Sequence, residues 1–96
     1  MTVKILIKRK VSADKAPKLK DLIMQLRALS VKEPGYVSGE SLKSVENPDQ
    51  YIVISTWESL NAWKTWLASK ERAAIQDQID ALLGVKTEYE AYEYRP

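Results

Sequence analysis

The sequence predicts an α+β fold of order β-α-β-β-α-β, and three observations carry that expectation. Val3, Ile5 and Ile7 alternate with Lys4 and Lys8, a period of two that puts the apolar side chains on one face of a strand. Leu19, Leu22, Ile23, Leu26 and Leu29 follow steps of three, one, three and three, which align as one apolar stripe on a helix. Asn47-Pro48-Asp49 separates two extended runs with turn chemistry, so those runs should form a hairpin.

Taken in order, the first strand covers roughly residues 2 to 11. Asp14 is a plausible N-cap for the helix that follows, and Pro17 fits a first helical turn, where its missing N–H costs nothing. Glu33-Pro34-Gly35 ends that helical region. A second strand runs from about Tyr36 to Val45, weakened by Ser38-Gly39 as an edge or bulged strand is. Tyr51 to Trp57 is the most β-prone segment and would invite aggregation if exposed, so it should be a central strand. Ser59 can cap the next helix, where Leu60, Trp63 and Leu67 share a face and Trp66 lies about 60° from Trp63. Ser69 interrupts it. Ala74, Ile75, Ile79 and Leu82 continue as a second amphipathic piece that Gly84 terminates, and a last strand spans about Val85 to Tyr94. This is the ferredoxin-like unit.

Composition narrows the chemistry. Ninety-six residues, 45% hydrophobic, with four Pro and three Gly, suit one globular domain over residues 1–96. Without Cys there is no disulfide framework, thiolate nucleophile or Cys-held metal cluster. Without His the commonest general base and metal ligand is gone, along with proximal His ligation of haem. No metal or other cofactor is expected. No apolar run reaches about 18 residues, so no membrane span is expected. The opening M-T-V-K-I-L-I-K-R-K alternates instead of forming a secretory core, which makes a cytoplasmic location the expectation.

The net charge of +2 is unevenly spread: residues 1 to 48 hold ten Lys/Arg against five Asp/Glu, and residues 49 to 96 five against eight. Lys4, Lys8, Arg9 and Lys10 face an acidic group of Glu88, Glu90 and Glu93. Pairing between neighbouring first and last strands explains this better than a nucleic-acid patch, so no nucleic-acid partner is expected.

The run P-G-Y, then N-P-D-Q-Y-I-V-I-S-T-W-E-S and N-A-W-K-T-W, resembles the antibiotic biosynthesis monooxygenase family. The resemblance implies a four-stranded antiparallel sheet and a dimeric α/β barrel, in which a second subunit covers the helix-free face. Ile52, Ile54 and Thr56 would then lie in a homodimer interface. It further implies a cavity on the helix side, with Ile7, Tyr51, Val53, Ser55 and Trp57 looking toward it and Trp63, Trp66 and Gln76 contributed by the helices. Trp57 and Trp63 read more simply as core, which leaves Trp66 as the better candidate for the cavity wall.

Two branches of that family can be compared position by position. The haem-degrading branch carries Asn, Trp and His where this chain has Ile7, Trp66 and Gln76; only the tryptophan is kept, so haem degradation is not expected. The cofactor-independent, quinone-forming branch carries the motif kept here as Trp57-Glu58-Ser59. Its Asn, Tyr and Arg correspond to Val53, Trp63 and Asp77, so the aromatic character survives while the amide and guanidinium do not. The leading reading is a cofactor-independent monooxygenase acting on an aromatic or polycyclic small molecule. The alternative is a non-catalytic homodimer that binds a small aromatic or quinone-like ligand, or a partner protein. Tyr51, Tyr89, Tyr92 and Tyr94 are the available proton donors, and a catalytic one needs Lys or Arg beside it. Arg9, Arg27 and Arg72 are the arginines considered for that place, each expected at the surface.

Overall fold

The computed structural model describes residues 2–96. Its elements are β1 (Val3–Lys10), α1 (Ala16–Ser30), β2 (Tyr36–Lys43), β3 (Gln50–Trp57), α2 (Leu60–Leu67), α3 (Lys70–Leu83) and β4 (Glu88–Glu93). The strands form one antiparallel sheet in the order β2-β3-β1-β4. β3, the most β-prone run, is central, while β2 lies at an edge with a register shift between Tyr36 and Ser38. A bulge there fits a strand weakened by Ser38-Gly39.

Local chemistry sets the helix ends. Ser59 Oγ accepts from the Ala62 N–H at 3.1 Å and caps α2. Ser69 both breaks the predicted second helix and starts α3, accepting from the Arg72 N–H at 3.3 Å. Gly84 closes α3 in the left-handed region at φ 73°. Asp14 is not the cap of α1: the cap position is the next residue, Lys15, which makes no side-chain cap hydrogen bond. The Asp14 carboxylate is engaged instead by Ser12 and nearby backbone, which holds its pKa below the usual carboxylate range. At the start of β2, Gly35 has φ 87°, and a Cβ there would come within 2.6 Å of the Ala62 Cβ. That close approach seats the β2 turn against α2.

The helices cover one face of the sheet. Val3, Ile5 and Trp57 pack there under Trp63 and Trp66, while Val11, Leu19, Leu22, Ile79 and Leu83 form a second cluster between α1 and α3. The stripe expected on α2 is corrected: Leu60 and Leu67 are exposed, and the buried face is Trp63 and Trp66. Two indoles fill a sheet–helix gap that a leucine row would leave partly open. On the opposite face Leu6 stands across from Ile54, and Leu42 across from Ile52. Ile52 and Ile54 are half-buried there, and Thr56 is buried, accepting from Lys4 Nζ at 3.2 Å. No helix among the described residues covers this face. Lys8 and Glu90 pair at 2.6 Å across β1 and β4, which accounts for part of the uneven charge distribution.

Candidate functional site

Two periodicities deliver polar side chains to the interior. On β1 the inward positions are Val3, Ile5, Ile7 and Arg9; on α3 the buried row is Arg72, Gln76, Ile79 and Leu83. They converge with β3, α1 and α2 on a cavity of about 50 Å³ between sheet and helices. Of the residues singled out from the sequence, Ile7, Val53, Ser55, Trp63, Trp66 and Gln76 line it. Trp57 does not. It is fully buried behind the wall, donating from its indole Nε1 to Ser55 Oγ at 2.8 Å. Its ring meets Tyr36 and Trp63 edge-on at 5.4 and 6.0 Å and stacks on Trp66 at 6.2 Å. Tyr51 lines a separate groove of about 710 Å³ along α1, together with Leu19, Ile23, Met24 and Ser41.

The two spaces adjoin, since Ile23 and Arg27 line both. Arg27 reaches past Gly39 to donate to Ser41 Oγ at 3.2 Å, so it stands at the junction. A water needs roughly 10–15 Å³ of such space, so the inner cavity has room for about three to five non-hydrogen atoms. The groove is large enough for an aromatic ring system.

The arginines overturn their expected surface placement. Arg9 is only 6% exposed and Arg72 only 7%. Both sit at inward positions of their elements, and their guanidiniums flank Tyr89, the β4 residue opposite Ile7. Arg72 Nη2 donates to the Tyr89 hydroxyl and its guanidinium lies 5.3 Å from the ring centroid, while Nη1 donates to the Leu67 carbonyl at 3.3 Å. Because the Tyr89 oxygen already accepts from Arg72, its own proton points elsewhere. Burial raises the Tyr89 pKa, and the charges of Arg72 and Arg9 offset this in part. The phenol is therefore a protonated donor at neutral pH, as a tyrosine beside an arginine must be to serve as an acid.

Two buried polar atoms at this site have no partner among the described residues. Arg9 Nε is an unpaired donor and Gln76 Oε1 an unpaired acceptor. The Gln76 amide is fixed by its nitrogen, which donates to Asp80 Oδ1 and Thr87 Oγ1, each at 2.9 Å. An amide oxygen turned toward a carboxylate would be repelled, so Oε1 is the free end. Among the described residues, neither guanidinium lies within ion-pair distance of a carboxylate; the ion pairs join Lys8 to Glu90 and Arg95 to Glu93. Burial pushes the Arg9 pKa down; Tyr89 opposes the shift, the Arg72 charge adds to it, and Asp80 opposes it. No cluster of three or more His, Cys, Asp or Glu among those residues is placed to hold a metal ion.

Arg9, Arg72 and Tyr89 are the residues that the sequence reading did not bring together. Strand parity extended two residues past Ile7 marks Arg9 as inward. The steps of four, three and four through 72, 76, 79 and 83 mark Arg72 in the same way. Asp77, aligned with an arginine of the quinone-forming branch, is exposed on the outer side of α3.

A family model described as antibiotic biosynthesis monooxygenase matches residues 2–78. No curated protein sequence matches. Among solved structures, a conserved protein from Methanosarcina mazei superposes with a TM-score of 0.89 at 19% identity, covering 99% of this chain and 94% of that one. A variant of SnoaB, a cofactor-independent oxygenase from Streptomyces nogalater, gives 0.86 at 19% identity with the same coverage of 99% and 94%. Rv0793 from Mycobacterium tuberculosis gives 0.85 at 14% identity, covering 100% of this chain and 97% of that one. At these identities the superpositions speak for the fold, which is the ferredoxin-like one expected from the sequence.

Proposed function

The chain belongs to the antibiotic biosynthesis monooxygenase family, and we propose that it oxygenates a flat aromatic carbon acid without a metal or flavin. The observation that carries this reading is the Tyr89–Arg72–Arg9 cluster at the inner end of a tryptophan-walled cavity. In such a reaction a ring CH₂ becomes a carbonyl. One atom of O₂ enters the carbon and the other leaves as water, with all four electrons supplied by the substrate. The protein's part is to exclude water, orient the ring and stabilise negative charge as the carbon is deprotonated. The groove along α1 suits the ring and the inner cavity a polar substituent. Tyr89 is the donor, and the two guanidiniums supply the field. SnoaB, described as a cofactor-independent oxygenase, supports this reading at the level of the family.

A second reading, ligand binding without turnover, is favoured by one observation. No carboxylate among the described residues lines the inner cavity, so no conventional base faces the substrate there. Oxygen consumption with a panel of anthrones and quinols separates the two. Uptake above the buffer rate that Tyr89→Phe diminishes supports catalysis; binding without uptake across the panel refutes it. The functional unit is proposed to be a homodimer joined through the helix-free face that carries Leu6, Ile52, Ile54 and Thr56.

A further inference from the structure

The resting protein carries two buried positive charges that no carboxylate among the described residues balances at contact distance; Asp80 offsets the Arg9 charge only from further away. Arg9 is only 6% exposed, and its Nε has no acceptor among the described residues. Arg72 spends its guanidinium on two neutral oxygens, the Leu67 carbonyl and the Tyr89 hydroxyl. Removing a charge from water without a counter-charge is costly, and natural interiors pair such charges or present them to a ligand. The cost here exists before any reaction begins. A neutral phenol, ionising near pH ~10, cannot offset it in the ground state. The inner cavity holds only a few atoms, so the compensating group is small.

We infer that the ligand is an aromatic carboxylate whose carboxyl group enters the inner cavity between Arg9 and Arg72 while its ring lies in the groove along α1. This rests on the assignment of that cavity as the ligand site and adds the chemical class of what fills it. A carboxylate is planar, has two acceptor oxygens and suits an unpaired Arg9 Nε better than a single hydroxyl does. One carboxylate against two guanidiniums leaves a net positive charge. That surplus is available to stabilise further charge developing on the ring.

The test uses 2-naphthoate, 2-naphthamide and 2-naphthol as probes of equal ring size, with binding followed by tryptophan fluorescence and by calorimetry on the full-length protein. The carboxylate should bind about tenfold or more tightly than the amide or the naphthol, as expected for charge-assisted hydrogen bonds. That preference should fall to about twofold or less in Arg9→Gln and in Arg72→Gln. The comparison of probes on the wild-type protein stands even if a variant fails to fold. Equal or tighter binding of the amide or the naphthol, no binding of any probe, or a preference retained in both folded variants each overturns the inference. Oxygen consumption is read separately. Carboxylate preference with no turnover of any anthrone or quinol keeps this inference and refutes the catalytic reading. Turnover with indifference to the carboxyl group does the opposite.

Discussion

Truncating Trp57 and Trp66 separately tests whether the cavity wall is a wall. Both indoles are almost fully buried, at 0% and 6% exposure, so apolar area alone hardly distinguishes them. A buried Trp→Ala change costs about 3–5 kcal/mol through lost burial and the void left behind. Trp57 belongs at the top of that range. Its Nε1 bond to Ser55 is worth roughly 1 kcal/mol, and its edge-on contacts with Tyr36 and Trp63 about 0.5–1.5 kcal/mol each. The stacking of Trp57 on Trp66 is lost in either variant and cancels in the comparison. Trp66 borders a cavity, so part of its surface already lacks contacts, and its truncation should cost about 3 kcal/mol or less. The expected difference is about 2 kcal/mol. It is read from urea titrations at matched protein concentration, since a dimer's stability varies with concentration. Ser55→Ala leaves the buried Trp57 Nε1–H without its acceptor and should cost about 1–3 kcal/mol. If Trp66→Ala destabilises as much as Trp57→Ala and leaves probe binding unchanged, Trp66 is core and the cavity argument fails.

Ile54→Asp places a carboxylate in the proposed dimer face, and sedimentation should then show monomer or loss of folded protein; an unchanged dimer refutes that interface. Gly35→Ala should destabilise by more than the ~1 kcal/mol of an ordinary left-handed glycine, because its Cβ would meet Ala62 at 2.6 Å. Gly84→Ala, with nothing within 4 Å of the added Cβ, should cost only about that ~1 kcal/mol, so equal costs would refute the close-approach argument. Tyr89 has a raised pKa in the folded state, so the folded chain holds that proton more tightly than the unfolded one. Stability should therefore fall as pH rises from ~10 through the folded value, and Tyr89→Phe should remove that part of the decline in alkaline melting curves. A decline of the same size in the variant would assign it to other groups.

Most of the fold was readable from local pattern. Alternation over Val3–Ile7, the leucine stripe of α1, the Asn47-Pro48-Asp49 turn and the caps at Ser59 and Gly84 each depend on neighbours a few residues away. Where several local signals agree on one topology, the sequence suffices to specify it. The Asp14 cap failed for a local reason too: Ser12 competed for the same carboxylate. The stripe on α2 failed because Leu60 and Leu67 yielded the interior to larger rings, a matter of packing that spacing does not encode.

The site was legible only in part. Parity put Val53 and Ser55 on one face of their strand, the family resemblance turned that face and Ile7 toward the helices, and the helix period put Trp63 and Trp66 near one another. What the sequence could not supply was the meeting of Arg9, Arg72 and Tyr89, three residues from three elements spread over most of the chain. Their encounter depends on β1 and β4 pairing so that Ile7 lies opposite Tyr89, and on α3 docking with Arg72 turned inward. Composition argues that arginines stay at the surface, because a buried guanidinium is costly unless something compensates it. That statistical rule holds for each arginine alone. Only the tertiary structure shows two of them held together inside, lining one cavity with Tyr89.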